Sequence, residues 1–130
     1  MSGLTVAGLK TQLDTPEGVL RAVDGVDFEI RAGDCFALVG ESGCGKTTVG
    51  RSILRLIEPT SGKVYFRDED VTTAGSKQLK TLRKDMQMVF QDPYGSLNPR
   101  MTIEQIIAEP LGIHFRQQTK GEWRENAAGW

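Results

Sequence analysis

The chain has no excess of either charge. Sixteen Lys and Arg residues stand against seventeen Asp and Glu residues, which gives a net charge of −1. Such a balance supplies no bulk basic field, so it argues against nucleic acid or anionic lipid as the partner. The longest apolar runs are about five residues, far below the ~20 that a helix needs to cross a bilayer.

Cysteine is also scarce. Cys35 and Cys44 are too few for a disulfide framework, and no second pair completes a zinc site. The first residues contain no continuous apolar stretch of the kind found in secretory signals. We therefore expect reduced thiols and a cytoplasmic location. The hydrophobic and charged contents, 38% and 25% of 130 residues, are those of one globular domain or part of one.

The apolar pattern predicts alternating strands and helices. The continuous apolar run at 35–39 is typical of a buried parallel strand, and 86–90 is predicted to be another buried strand. Turn residues at 14–18 predict a hairpin. The predicted strands are 4–9, 22–30, 35–39, Ser61–Phe66 and 86–90. The predicted helices are 46–57, 76–84 and 103–108, the last with Thr102 as its cap, and 91–100 is predicted to be a loop.

One stretch, FALVGESGCGKTTVGRSIL, places glycines and a lysine where a predicted strand gives way to a helix. Gly40, Gly45, Lys46 and Thr47 fit the pattern G-x-x-x-x-G-K-[ST]. Glycines let backbone amides point inward around an anion, and the helix adds its positive end. An incidental glycine-rich turn is the alternative, but chance yields this match in roughly one chain per hundred of this size.

The pattern predicts a loop for nucleotide phosphates, with Lys46 on the β- and γ-phosphates, Thr47 on Mg²⁺ and Thr48 near the α-phosphate. The predicted ATP-binding residues of this loop are Gly40, Glu41, Ser42, Gly43, Cys44, Gly45, Lys46, Thr47 and Thr48. A phosphate-binding loop alone does not choose among kinases, GTPases, ATPases and transport motors. No guanine- or substrate-recognition element is found that would support a kinase or GTPase.

The surroundings are more specific. Three segments follow one another along the chain: LVGESGCGKTT, EPTSGKVYF and MQMVFQDPYGSLNPRMTI. Together they resemble the ATP-binding subunit of an ABC transporter, in the branch that imports oligopeptides, dipeptides and nickel. The resemblance runs in uninterrupted order over nearly the whole chain. It implies an α/β P-loop NTPase fold of the ABC ATPase type, incomplete here, with an N-terminal antiparallel β part and the start of a helical subdomain.

The resemblance also implies roles for residues outside the loop. Gln91 falls at the family's Q-loop glutamine, which touches Mg²⁺ and the side of the site where water attacks. Residues of about 91–103 are expected to contact the membrane-spanning permease subunits, and a second ATPase subunit is the expected dimer partner. Leu13 takes the place of the usual aromatic side chain that stacks on adenine, so we expect weaker stacking or base selectivity there.

Several family elements are not found in the sequence: a Ser-Gly-Gly signature loop, an apolar strand ending in Asp-Glu, and a switch histidine. VYFRDED ends in acidic residues, but it comes too early in the chain, so 68–70 is predicted to be a charged turn rather than a magnesium ligand set. His114 follows EPLGI, not an acidic strand, so it does not match the switch position and is expected to lie on the surface or to flank a helix. The resemblance therefore implies a catalytically incomplete chain.

We accordingly predict a partial nucleotide-binding core at 1–90 and a truncated helical part at 91–130. The expected function is an ATP-binding subunit, ATP-hydrolysing when complete, that powers import of peptides or similar solutes from the inner face of the cell membrane. A truncated, non-catalytic nucleotide-binding module is the alternative. The first hypothesis expects the DNA beyond codon 130 to encode the missing elements.

Overall fold

The structure is a computed structural model that describes residues 2–41, 45–92 and 94–115. The chain divides into two compact units, Met1–Met86 and Gln87–Trp130, whereas the sequence predicts a division between residues 90 and 91. The assignment of these parts to a nucleotide-binding core and a helical subdomain remains a prediction.

A long antiparallel hairpin forms the N-terminal part. Strands β1 (Ser2–Thr15) and β2 (Gly18–Arg31) are joined by Pro16 and Glu17. Gly18 has a φ of 124°, which a residue with a side chain rarely adopts. Thr15 Oγ1 donates a hydrogen bond to the carbonyl oxygen of Gly18 at 2.6 Å. The predicted hairpin is confirmed, and both strands are longer than predicted.

The pairing of β1 with β2 is irregular at one position that later matters for the site. Gln12 pairs with Arg21, and Thr11 pairs with Val23, so Ala22 has no partner on β1. Ala22 is therefore the extra residue of a β-bulge, which turns the local backbone out of the regular ladder.

The sheet continues on the other side of β1. Strand β3 (Ser61–Phe66) pairs with β1, and the short β4 (Glu69–Asp70) pairs with β3, giving the order β2-β1-β3-β4 with antiparallel neighbours. Arg67 and Asp68, with φ of 50° and 67°, form the turn between β3 and β4, as a type I′ hairpin requires. The predicted strand over Ser61–Phe66 is confirmed. Of the charged turn predicted at 68–70, only Asp68 lies in the turn, because Glu69 and Asp70 pair with β3 as strand β4.

The described residues contain helices α1 (Lys46–Ile53), α2 (Ser76–Leu82) and α3 (Ile103–His114). Helix α1 packs on β1 and β2. Within the described residues, no helix combines the length and apolar character needed to span a bilayer. The buried apolar core consists of Val6, Leu9, Val23, Val49, Val64, Val71, Ala74 and Leu82.

Helix α1 ends at Ile53, four residues earlier than predicted. The Leu56 amide donates to the Arg51 carbonyl oxygen at 2.8 Å, and Arg55 lies in the left-handed region at φ 53°. This is the Schellman arrangement, in which glycine is the usual left-handed residue. An arginine in that place gives no sequence signal that the helix stops.

Contacts of its side chain hold Arg55 in this conformation. The guanidinium Nη1 donates to the carbonyl oxygens of Val71 and Ala74 at 3.1 and 2.6 Å. Hydrogen bonds from a charged donor are stronger than neutral ones, so they offset the cost of positive φ. They also tie the end of α1 to the segment after β4.

The predicted buried strands at 35–39 and 86–90 are wrong. Both segments are irregular and largely exposed, with 85% of Val39 and 96% of Val89 accessible to solvent. A continuous apolar run becomes a buried strand only where neighbouring strands pair with it and both faces are covered. Among the described residues, no strand pairs with either segment. Phe36 instead stacks on Phe28 of β2, with ring centroids 4.9 Å apart.

Helix α3 begins where predicted, with a capping box. Thr102 Oγ1 accepts from the Gln105 amide at 3.2 Å, and Gln105 Oε1 accepts from the Thr102 amide at 2.8 Å. The helix runs past its predicted end at 108 and contains Pro110. A proline removes one amide donor but does not always end a helix. His114, predicted to flank a helix, is the last residue of α3.

Candidate phosphate-binding site

The predicted phosphate-binding loop leads into helix α1. Gly40 and Glu41 lie in exposed, irregular chain, and Gly45 is the residue that precedes the helix. Ser42, Gly43 and Cys44 lie outside the described residues. The geometry of the site therefore rests on the start of the loop and on its junction with the helix.

Gly45 is the N-cap of α1, and its conformation and surroundings both require glycine. Its φ and ψ of 94° and 7° lie in the left-handed region. A Cβ atom there would collide with the backbone carbonyl oxygen of Ala22. The β-bulge at Ala22 thus fits against the bare Cα of Gly45, and this contact locates the N-terminus of α1 above the hairpin.

The N-terminus of α1 presents unpaired donors. The Val49 amide is bonded to the Gly45 carbonyl oxygen at 2.9 Å, so the amides of Lys46, Thr47 and Thr48 come before the first intrahelical bond. No side chain caps them within the described part of the chain, and the first turn contains no acidic residue. Free amides and the positive end of the helix dipole make this an anion-binding end.

The lysine lies close to the start of the loop. Lys46 Nζ donates a hydrogen bond to the carbonyl oxygen of Gly40. The lysine side chain therefore reaches from the start of α1 back to the start of the loop. Thr47 is exposed and Thr48 half-buried. The donors comprise backbone amides, one cation and two hydroxyls, a set that fits a polyphosphate. The Thr47 hydroxyl offers one oxygen to Mg²⁺, which takes oxygen ligands and is commonly shared with substrate phosphates.

Three hydroxyl-bearing residues link this helix to β1, and sequence reasoning missed two of them. Thr11 Oγ1 lies 2.8 Å from Ser52 Oγ, and Ser52 Oγ donates to the Thr48 carbonyl oxygen at 2.7 Å. Thr11 and Ser52 are fully buried. The available signal was the spacing of Ser52, one helical turn after Thr48. Apolar periodicity does not identify such small, buried polar residues.

Leu13 and Gln91 are the two remaining predicted site residues. Leu13 is half-buried on β1, opposite Leu20 of β2. Gln91 is an exposed residue of the second unit. Its predicted role beside the phosphate loop, and that of Leu13 beside adenine, remain predictions.

The acidic residues after β3 have a local role. The Asp70 carboxylate accepts hydrogen bonds from the backbone amide of Thr72 at 2.9 Å, from the Thr72 hydroxyl and from Lys63 Nζ at 3.2 Å. Partial burial raises the pKa of Asp70, but hydrogen bonds from Thr72, Thr73 and Lys63 outweigh it and lower this pKa to about 2. Asp70 therefore stabilises the turn as an ionised group.

Comparison with known proteins identifies the family. Residues 23–129 match the family model whose description is ABC transporter. The chain belongs to the ABC transporter family. It is 52% identical over 120 residues to the oligopeptide transport ATP-binding protein OppF of Bacillus subtilis, covering 92% of this chain. It is 49% identical over 110 residues to a putative peptide import ATP-binding protein of Brucella ovis, covering 85% of this chain.

The fold is that of the ABC ATPases. The chain is similar to a dimeric structure of the ATP-binding cassette MJ0796 in a post-hydrolysis state bound to ADP and Pi, with a TM-score of 0.78 over 97% of this chain and 24% identity. The predicted fold class is thereby confirmed. This ABC chain spans 39% of the length of the Bacillus protein, 35% of the Brucella protein and 54% of MJ0796.

Proposed function

We propose that this chain belongs to an ATP-binding, ATP-hydrolysing subunit that powers import of peptides or similar solutes. The observation that carries the proposal is the N-terminus of α1, with three amides that come before its first intrahelical hydrogen bond and the Lys46 ammonium beside the loop. Relatives about half identical to it are described as oligopeptide transport and peptide import ATP-binding proteins.

In this proposal the first turn of α1 holds the nucleotide phosphates. The amides of Lys46, Thr47 and Thr48 bind phosphate oxygens, and Lys46 exchanges the Gly40 carbonyl for the β- and γ-phosphates. The exchange suits a lysine because the ammonium is a flexible point charge with three donors. The Thr48 hydroxyl contacts the α-phosphate, and Leu13 contacts adenine.

The same loop provides part of a magnesium site. Thr47 would contribute its hydroxyl, and Gln91 its amide oxygen. When bound, Mg²⁺ neutralises charge that builds on the phosphates during transfer. Gln91 also orients water, a role suited to a neutral side chain that both donates and accepts.

The partners in this proposal are a second ATPase subunit and membrane-spanning permease subunits. Residues of about 91–103, which include the exposed Tyr94 and Leu97, contact the permease. The subunit is then peripheral on the inner face of the cell membrane. One neighbour by fold, MJ0796, is described as dimeric, which supports a dimer.

A non-catalytic nucleotide-binding module is the second candidate. Phosphate release from Mg-ATP separates the two. Turnover that Lys46→Ala abolishes supports the ATPase. Lys63→Ala is the matched control, because Lys63 bonds to Asp70 and is outside the phosphate-binding loop. The assay uses the protein extended to the length of its relatives, because this chain alone is expected to be catalytically incomplete. Binding of ATP without turnover in that longer protein supports the inert module.

A further inference from the structure

The buried hydroxyls of Thr11 and Ser52 are the polar side chains of the described core. Both residues are 0% exposed, while the residues around them in the core are apolar. A buried hydroxyl that lacks a partner costs about 1–3 kcal/mol. Replacement of both partners by apolar groups of the same shape can be nearly neutral, so stability does not by itself require a hydroxyl pair at this place.

The direction of the hydrogen bonds follows from the geometry. Each hydroxyl has one proton, and that of Ser52 is donated to the Thr48 carbonyl oxygen at 2.7 Å. Ser52 Oγ therefore accepts the proton of Thr11 Oγ1 across 2.8 Å. The result is a directed chain from the side chain of Thr11 through Ser52 to the backbone of Thr48.

This chain joins the two elements that carry the two ends of the candidate nucleotide site. Thr11 is two residues before Leu13 on β1, and burial alternates along the strand, with Thr11 buried, Gln12 exposed and Leu13 half-buried. Ser52 is one turn after Thr48, which belongs to the first turn of α1. The proposed adenine contact and the phosphate contacts are thus connected by this buried pair of hydroxyls.

We infer that Thr11 and Ser52 are positioning residues that hold the base-binding and phosphate-binding ends of the site in a fixed relative position. The inference rests on the proposed function, since it concerns the same site. A ligand that spans both ends gains from this fixed spacing, because it binds two contacts without first ordering them. A ligand that occupies only the phosphate end gains nothing from it.

The test compares ATP with inorganic triphosphate in the presence of Mg²⁺, titrated at a temperature where each variant is folded. The measured quantity is the ratio of the triphosphate Kd to the ATP Kd. In the double variant Thr11→Val with Ser52→Ala, no buried hydroxyl of the pair is left unpaired. We expect the ratio to fall about three- to tenfold, as loss of one hydrogen bond predicts, with triphosphate binding unchanged.

Two further variants separate positioning from stability. Thr11→Ser keeps the hydroxyl and is expected to keep the ratio. Val64→Ala removes buried apolar volume from β3, where Val64 is 0% exposed, and is expected to lower stability without changing the ratio. An unchanged ratio in the double variant overturns the inference, as does an equal rise of both Kd values. If the wild type binds neither ligand, the proposed function itself fails.

Discussion

Replacement of Gly45 by alanine tests the contact that locates the start of α1. Gly45 has a φ of 94°, and an added Cβ would collide with the backbone of Ala22. A left-handed conformation costs a residue with a side chain about 1–2 kcal/mol, and overpacking against a rigid neighbour costs about 1–3 kcal/mol. Because the two costs add, Gly45→Ala is expected to destabilise the chain by about 2–5 kcal/mol. This is a large part of the ~5–15 kcal/mol by which a typical domain is stable against unfolding.

Two other glycines separate these costs. Gly33 has a φ of 88° but open space around its Cα, so Gly33→Ala is expected to cost only the conformational part, about 1–2 kcal/mol. Gly50 lies within α1, has no positive φ and has no neighbour within 4 Å. Gly50→Ala is therefore expected to stabilise by about 0.5–1 kcal/mol, because alanine favours the helix.

The assay is urea unfolding of the four proteins under one buffer condition. The predicted order of stability is Gly50→Ala, wild type, Gly33→Ala and Gly45→Ala. If Gly45→Ala unfolds at the wild-type urea concentration, the contact with Ala22 does not locate the helix. If Gly45→Ala and Gly33→Ala lose the same free energy, the collision has no cost beyond that of the backbone conformation.

Three further changes test other parts of the structure. Because the pKa of Asp70 falls from 3.8 to about 2 on folding, its carboxylate is expected to contribute about 2 kcal/mol, present in full above about pH 5 and lost as pH falls towards 2. Asp70→Asn should lose this contribution to the free energy of unfolding at pH 7. The control Asp68→Asn should unfold like the wild type, because Asp68 lies at a left-handed turn position that asparagine tolerates. Equal losses of unfolding free energy in the two variants would contradict the role of Asp70. Thr102→Ala should cost helix α3 about 1 kcal/mol, seen as faster amide exchange in its first turn, while Thr102→Ser should exchange like the wild type. Leu13→Tyr should lower the ATP Kd about two- to tenfold through stacking on adenine and leave triphosphate binding unchanged; an unchanged ATP Kd would argue against the adenine contact.

Local sequence signals predicted the elements whose stability is local. The turn residues at 14–18 predicted the β1–β2 hairpin, and Thr102 predicted the start of α3. Both depend on hydrogen bonds between residues a few positions apart. The glycine and lysine spacing likewise predicted that Gly45 and Lys46 stand at the junction of loop and helix.

The wrong predictions depend on distant partners. The apolar runs at 35–39 and 86–90 have the composition of buried strands, but a strand also needs neighbours, and these are not specified by the run itself. The end of α1 depends on Arg55, whose guanidinium bonds across the fold to Val71 and Ala74. The Thr11–Ser52 pair spans 41 positions, a separation that no local pattern reveals.

ATP titration of Lys46→Ala and Gln91→Ala, each against the wild type, tests the central claim most directly. If the first turn of α1 and its lysine form the phosphate site, loss of the Lys46 charge should raise the ATP Kd about ten- to hundredfold, the value of a charged hydrogen bond. Gln91→Ala should raise the ATP Kd far less. Equal losses in the two variants, or ATP binding that Lys46→Ala leaves unchanged, would contradict the phosphate-binding assignment.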